Sequence, residues 1–173
     1  MKPFIALAAL SEGVVTPQST FVSTGKLVLP NPYDPENPSV FKDWRAHGAV
    51  DMRRALAVSS DVYFYIVGGW FENQRGVGIS AIDAYASRFG FGSHTGFPED
   101  DEPQGIVPSP AWKAEQFGEN VWRVGDTYNT AIGQYGWQVT LLQTILAVGA
   151  VANGGALLTP NIVKDAPIVR TNT

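Results

Sequence analysis

Ser59-Ser60-Asp61 places two hydroxyls and a carboxylate in a row, directly after Ala55-Leu56-Ala57-Val58 and before Val62-Tyr63-Phe64-Tyr65-Ile66-Val67. A hydroxyl near neutral pH needs a neighbouring base before it can act as a nucleophile or carry a proton. The same residues also suit a purely structural task, because Ser and Asp are preferred at helix N-caps; spacing alone leaves both readings open. Other chemistry-bearing types are scarce. Cysteine is absent, which excludes disulfides, thiolate zinc sites and thiol nucleophiles. His47 and His94 have no partner at ligand spacing, so each reads as a satisfied imidazole and not as a metal ligand. There is no Gly-x-Ser-x-Gly elbow, no Gly-x-x-x-x-Gly-Lys phosphate loop and no His-Glu-x-x-His zinc helix, and Gly76-Val77-Gly78 is a lone fragment of a dinucleotide pattern. Glu99-Asp100-Asp101-Glu102 is most simply a solvated acidic loop, since its spacing lacks an EF-hand pattern.

The elements that must position Ser59 are legible on both sides of it. Asp51 can cap a helix through Met52-Arg53-Arg54-Ala55-Leu56-Ala57, and Ser59-Ser60-Asp61 offers a second cap before an apolar helix that loosens at Gly68-Gly69. Lys2 to Leu10 lacks a polar face and reads as a buried helix ending near Glu12-Gly13. Val14 to Gly48 carries Pro17, Pro30, Pro32, Pro35 and Pro38 and reads as a long surface excursion, with one strand-like alternation at Thr24 to Leu29. Ser80 caps a helix from Ala81 to Phe89 closed by Gly90, Ser109-Pro110 starts another, and Thr140 to Ala152 forms a last one, stopped at Asn153-Gly154-Gly155. Ala156-Leu157-Leu158 can open a strand.

Composition bounds the rest. The 173 residues suffice for one domain with a core, and 16% charged residues is low enough that the surface leans on neutral polar groups, Gly and Pro. A formal charge of −4 supplies no electrostatic footprint for phosphate backbones, so no nucleic acid partner is expected. The longest apolar run, Phe4 to Leu10, falls far short of the roughly 20 residues of a membrane span.

The stretch Ala55 to Tyr65 closely resembles the second active-site motif of the class B penicillin-binding proteins, Ser-x-Asn, written Ser-x-Asp in the elongation-specific branch. Further resemblances follow in that family's order. Lys2-Pro3-Phe4-Ile5-Ala6-Leu7-Ala8-Ala9-Leu10 is similar to the lysine of the Ser-x-x-Lys motif and the helix behind it. Arg88-Phe89-Gly90-Phe91-Gly92, Thr95-Gly96 and Gly105 to Pro110 resemble the segment after the second motif. Gly125 to Gln134 and Ala152-Asn153-Gly154-Gly155 resemble the stretch before the third.

This resemblance implies an α+β fold of the penicillin-binding protein transpeptidase and serine β-lactamase-like type, represented here by its mainly helical part with few short strands. It implies a peptidoglycan D,D-transpeptidase acting by serine acyl transfer, with Lys2 as general base, Ser59 as proton relay, Asp61 at the third position of the motif, and no cofactor or metal. The partners implied are peptidoglycan stem peptides, β-lactams, a glycosyltransferase of the elongation machinery, and the bacterial cytoplasmic membrane through an anchor that is not in this chain, with the catalytic domain facing outward. A catalytically dead penicillin-binding-like module that binds cell-wall synthesis partners is the alternative. The family's nucleophilic serine belongs three residues before Lys2, ahead of Met1, and its Lys-Thr-Gly strand belongs beyond Thr173. Residues 1–173 are therefore expected to be a partial transpeptidase domain, with Met1 either an internal methionine read as a start or the edge of an incomplete gene record. Apolar faces on Phe4 to Leu10 and Leu141 to Val148 are expected to lie exposed in such a segment.

Overall fold

The computed structural model describes residues 1–98, 101–118, 121–165 and 167–171. In chain order these form α1 (Lys2–Ser11), β1 (Phe21–Ser23), β2 (Lys26–Leu29), β3 (Ser39–Lys42), β4 (Gly48–Val50), α2 (Met52–Ala57), α3 (Asp61–Gly68), α4 (Ile79–Arg88), α5 (Pro110–Phe117), α6 (Val124–Ala131), α7 (Leu141–Ala152), β5 (Leu157–Leu158) and β6 (Arg170–Thr171). The strands make three separate antiparallel pairs, β1 with β4, β2 with β3, and β5 with β6. The mainly helical α+β architecture with few short strands is thus the one expected. The chain divides into two compact units, Met1–Ile82 with Trp122–Tyr135, and Asp83–Val121 with Gly136–Thr173.

In the first unit α3 is the centre. Its residues Val62-Tyr63-Phe64-Tyr65-Ile66-Val67-Gly68 are all buried, as a helix with no polar face must be. It is enclosed by α1, α6 and the strands β1, β2 and β3. At its end a Cβ on Gly68 would fall on the side chain of Ala131 in α6, so only glycine permits that approach. Val62, Tyr65 and Ile66 form a core with Leu27 of β2 and Tyr128 of α6, edged by Phe21, Leu29, Phe41, Phe71 and Ile132. The rings of Phe41 and Tyr128 meet edge to face, 5.0 Å between centroids at 89°. Burial of each such side chain stabilises by about 1.5–3 kcal/mol. The register Phe21↔Val50, Val22↔Ala49, Ser23↔Gly48 closes β1 on β4, and Leu27↔Phe41 sets β2 against β3.

Two expectations are corrected here. Val14 to Gly48 is not merely a surface excursion: Ser23, Leu27 and Asp43 are all buried. The alternation at Thr24 to Leu29 is borne out as β2, while β1 and β3 pass for loop because they are only three and four residues long among the prolines. The apolar face of α1 is likewise not exposed, since Phe4, Ile5, Ala6, Ala8 and Ala9 are buried and α1 packs on α3.

The second unit is built around α7 and β5. Thr140 caps α7 by accepting from the Gln143 backbone N–H, while Gln143 Oε1 accepts from Thr140 N–H. Gln143 is 1% exposed, and its amide donates to the carbonyls of Ser93 and Gln104, both at 2.7 Å. Along the outer side of α7, Leu141, Ile145, Val148 and Val151 are exposed, as expected for this stripe. Ser109 caps α5 by accepting from Trp112 N–H, with proline in the first turn. The helix α4 starts at Ile79, two residues before the position that a Ser80 cap predicts.

Candidate active site

The helix α2 begins at Asp51, whose side chain accepts from Arg54 N–H, and ends in a Schellman turn. Ser60 N–H donates to Ala55 O at 2.9 Å and Ser59 N–H to Leu56 O at 3.2 Å. Such a turn needs one residue in the left-handed region, a place usually held by glycine; here it is Ser59, with φ +54°. A side chain there costs roughly 1–2 kcal/mol against glycine. Strain of this kind persists only where the surroundings hold it and is concentrated at functional positions. The next residue, Ser60, is the N-cap of α3 and accepts from Tyr63 N–H. One serine of the pair is therefore the cap that the sequence allowed, and the other is turned away from both helices.

What Ser59 faces is Lys2, on the first turn of α1. The Lys2 ammonium donates to Ser59 Oγ at 2.7 Å, to Ser59 O at 2.9 Å and to Asp61 Oδ1 at 2.6 Å. Lys2 and Asp61 form an ion pair with side chains 14% and 20% exposed, so the group is sheltered yet open to a ligand. Phe64 lies beneath the ammonium, 6.0 Å from Nζ to the ring centroid. An open cleft of about 410 Å³, lined by Met1, Lys2, Pro3, Leu56, Ser59 and Ile132, leads to it. Lys2, Ser59 and Asp61, taken from opposite ends of 59 residues of chain, are brought together in one cluster.

A second cluster lies behind this one, and sequence reasoning missed it. Asp43 has a fully buried side chain, and its Oδ2 accepts from Ser60 Oγ at 2.9 Å, Val62 N–H at 3.0 Å and Ser23 Oγ at 3.2 Å. Burial pushes the Asp43 carboxyl up, but hydrogen bonds from Val62 N–H, Ser60 Oγ, Asp61 N–H and Trp44 N–H outweigh it and hold the group below the usual carboxylate range. Trp44 Nε1 donates to Val58 O at 3.1 Å, at the close of α2. No spacing signal could have flagged Asp43, because the three donors to its Oδ2 stand 17 to 20 residues away in sequence.

The remaining sequence-level candidates go elsewhere. His47 packs on Trp44 with its Nε2 3.4 Å from Asp43 Oδ1, yet that buried nitrogen makes no hydrogen bond, so the imidazole is not the satisfied one expected. His94 lines a cavity of about 300 Å³ in the second unit with Arg88, Ser93, Gln143 and Leu157, which holds none of Lys2, Ser59 or Asp61. Glu99 and Asp100 of the acidic loop lie outside the described residues. Glu102 departs from the solvated loop expected: its Oε2 accepts from Thr95 N–H, and its Oε1 is buried. Among the described residues no three His, Asp or Glu side chains gather as a metal-binding group. Nor is any helix among them long and apolar enough to cross a membrane.

A lysine held by a left-handed serine and a carboxylate thus sits at the joint of two helices on this fold. The chain belongs to the penicillin binding protein transpeptidase domain family, whose model matches residues 1–171. Among its relatives, the peptidoglycan D,D-transpeptidase MrdA of Haemophilus influenzae is 36% identical over 166 residues, covering 95% of this chain and 24% of the relative. The penicillin-binding protein PBP2 of Helicobacter pylori superposes with a TM-score of 0.82 at 30% identity, covering 99% of this chain and 30% of that one. The same H. pylori protein in complex with MreC gives a TM-score of 0.80 at 32% identity, covering 96% and 29%. The chain thus spans about a quarter of the length of the curated relatives it matches.

Proposed function

We propose that the chain is part of a peptidoglycan D,D-transpeptidase acting by serine acyl transfer, with Lys2 as general base, Ser59 as proton relay and Asp61 as the group that orients the lysine. The observation that supports this most directly is the grip on Lys2: Ser59 Oγ, Ser59 O and Asp61 Oδ1 all lie within 2.9 Å of Nζ, on an open cleft. Three acceptors match the three N–H bonds of an ammonium. To act as a base Lys2 must give up one of these protons, and Ser59 Oγ is the acceptor that can donate in its turn. The Asp61 carboxylate accepts only, so it fixes the direction of the amine and leaves the relay to Ser59.

In this reading a serine three positions before Lys2, one helical turn away on the same face, attacks the carbonyl of the penultimate D-alanine of a stem peptide. The serine O–C bond forms and its proton passes to the Lys2 amine. The C–N bond then breaks, and the departing D-alanine amine takes a proton through Ser59. An amine from a neighbouring stem peptide resolves the ester by the reverse path. A β-lactam acylates the same oxygen. In this reading that serine and a Lys-Thr-Gly strand belong to a longer protein, of which residues 1–173 are a partial transpeptidase domain. A membrane anchor that holds the domain outside the cytoplasm, and a partner glycosyltransferase of the elongation machinery, complete the reading. The H. pylori relative solved with MreC supports a role within a cell-wall assembly.

The test is covalent labelling by a fluorescent penicillin of the protein made from the complete gene. A labelled band is expected, and none from the 173-residue chain alone. Ser59→Gly separates chemistry from folding. Glycine suits the left-handed turn, so stability is expected to hold or rise by about 1 kcal/mol, while acylation falls sharply for want of the hydroxyl. An unlabelled complete protein overturns the enzyme reading in favour of a catalytically dead module.

A further inference from the structure

Ser59 owes its position to neither helix alone. A left-handed serine at a Schellman turn is disfavoured by its own backbone, and the hydrogen bonds of that turn serve glycine equally well. The surroundings must hold it, and two neighbouring residues do so from opposite sides. Asp43 Oδ2 accepts from Ser60 Oγ–H and Val62 N–H, just after Ser59, and Trp44 Nε1–H donates to Val58 O, just before it. Asp43 is itself tied down, by its own N–H on Gly25 O at 2.9 Å and by Ser23 Oγ. Its charge also sits at the N-terminus of α3, where unpaired N–H groups favour an anion.

We propose that Asp43 and Trp44 form a bracket that fixes the Val58–Val62 turn and so sets Ser59 Oγ on the Lys2 amine, which makes Asp43 a positioning residue for proton relay. This rests on the relay reading of Ser59 given above. Neither residue touches Lys2 in the contacts just described, and the effect runs through the turn. Held in its ionised form by these same hydrogen bonds, Asp43 presents one oxygen to three donors. A side-chain amide of the same shape loses part of this whichever way it is turned: its NH₂ meets either Ser60 Oγ–H and Val62 N–H, or Trp44 N–H on the side where His47 Nε2 lies 3.4 Å away.

The experiment is Asp43→Asn in the protein from the complete gene, read in two ways. Amide hydrogen exchange at Ser60 and Val62 should accelerate at least tenfold relative to the core of α3. The maximal rate of penicillin acylation should fall by about 100-fold, the scale of a 1 Å misplacement. The half-saturating penicillin concentration and the pH midpoint of acylation should stay in place, which a general loss of folded protein would not produce. Unchanged exchange, or a wild-type acylation rate per folded molecule, overturns the bracket. Should Asp43→Asn fail to fold, Trp44→Phe decides. Trp44 is 59% exposed, and the change deletes the hydrogen bond to Val58 O while keeping a smaller ring for His47 and Arg45 to pack on. It should slow acylation several-fold with an unaltered melting temperature, and wild-type acylation in that variant overturns the proposal. An unlabelled wild type that still shows the exchange response overturns the enzyme reading and not the bracket.

Discussion

The helices α3 and α7 are two strongly apolar helices in opposite situations. In α3 all residues from Val62 to Gly68 are buried. In α7 the buried residues are Gln143, Ala147 and Ala150, while Leu141 is 84% and Ile145 65% exposed. The fully buried face of α7 is the small and polar one, Leu142 and Leu146 are half-buried, and Leu141, Ile145, Val148 and Val151 point to solvent. Apolar content alone therefore does not say which way a helix faces. What decides is whether a partner surface of matching shape exists. Gly68 and Ala131 let α3 and α6 approach closely, whereas α7 meets its own unit through an amide that ties up two loop carbonyls.

This contrast can be broken at several points, and the largest effect lies around α3. Tyr128→Ala should cost about 3–5 kcal/mol, because it empties the space against Phe41 and Tyr65 and orphans the Trp70 carbonyl that the phenol holds at 2.6 Å. Denaturant unfolding measures it, and a loss under 1 kcal/mol would mean that the α3 core is far looser than its packing. Next comes Gln143→Ala, which strips the donors from the Ser93 and Gln104 carbonyls and should cost about 1–3 kcal/mol. A thermal melt followed by a probe in the second unit should show it.

A pH scan sharpens the contrast on the alkaline side. Burial pushes Tyr63, Tyr65 and Tyr128 up to about 12, aided by the Asp51 charge at Tyr63 and by the Asp61 and Asp43 charges at Tyr65. The unfolded chain sheds these protons near pH 10, as free tyrosine does. These three phenols therefore leave the stability of the first unit unchanged below about pH 10 and lower it as pH rises towards 12. Tyrosinate absorbance should appear together with loss of helix, and Tyr65→Phe should flatten the slope. Tyrosinate forming in a still-folded protein would contradict the burial. The smallest effect belongs to the outer side of α7. Leu141→Gln with Ile145→Gln in the 173-residue chain should change stability by no more than about 0.5 kcal/mol and reduce self-association in sedimentation.

Much of this was written locally. The caps at Asp51, Ser60, Ser109 and Thr140 are all used, because a cap and its N–H partner sit three residues apart and the signal stays within one turn. The site was legible only through family resemblance, which named Lys2, Ser59 and Asp61. From spacing alone Ser59-Ser60-Asp61 passed for a cap as a group, and the structure gives that task to Ser60 and leaves Ser59 to Lys2. The bracket escaped altogether. Asp43 and Trp44 sit between short strands whose pairing is long-range, so nothing within a turn of them announces that they reach the joint of α2 and α3. The α6 helix was likewise invisible to cap reasoning, since its N-cap residue is Arg123 and the cap contact runs from Asp126 back to Arg123 N–H.

The joint between α2 and α3 also decides where this chain can change in length. Between Ala57 and Asp61 there are three residues, Val58, Ser59 and Ser60, and each has a fixed partner. Adding or removing one would break at least one of these pairings and carry the hydroxyl off the amine. The link between β2 and β3, by contrast, ends in a tip where Tyr33 is 96% exposed. Insertions, tags or a spin label can be accommodated there, while at the joint the number of residues matters as much as their kind.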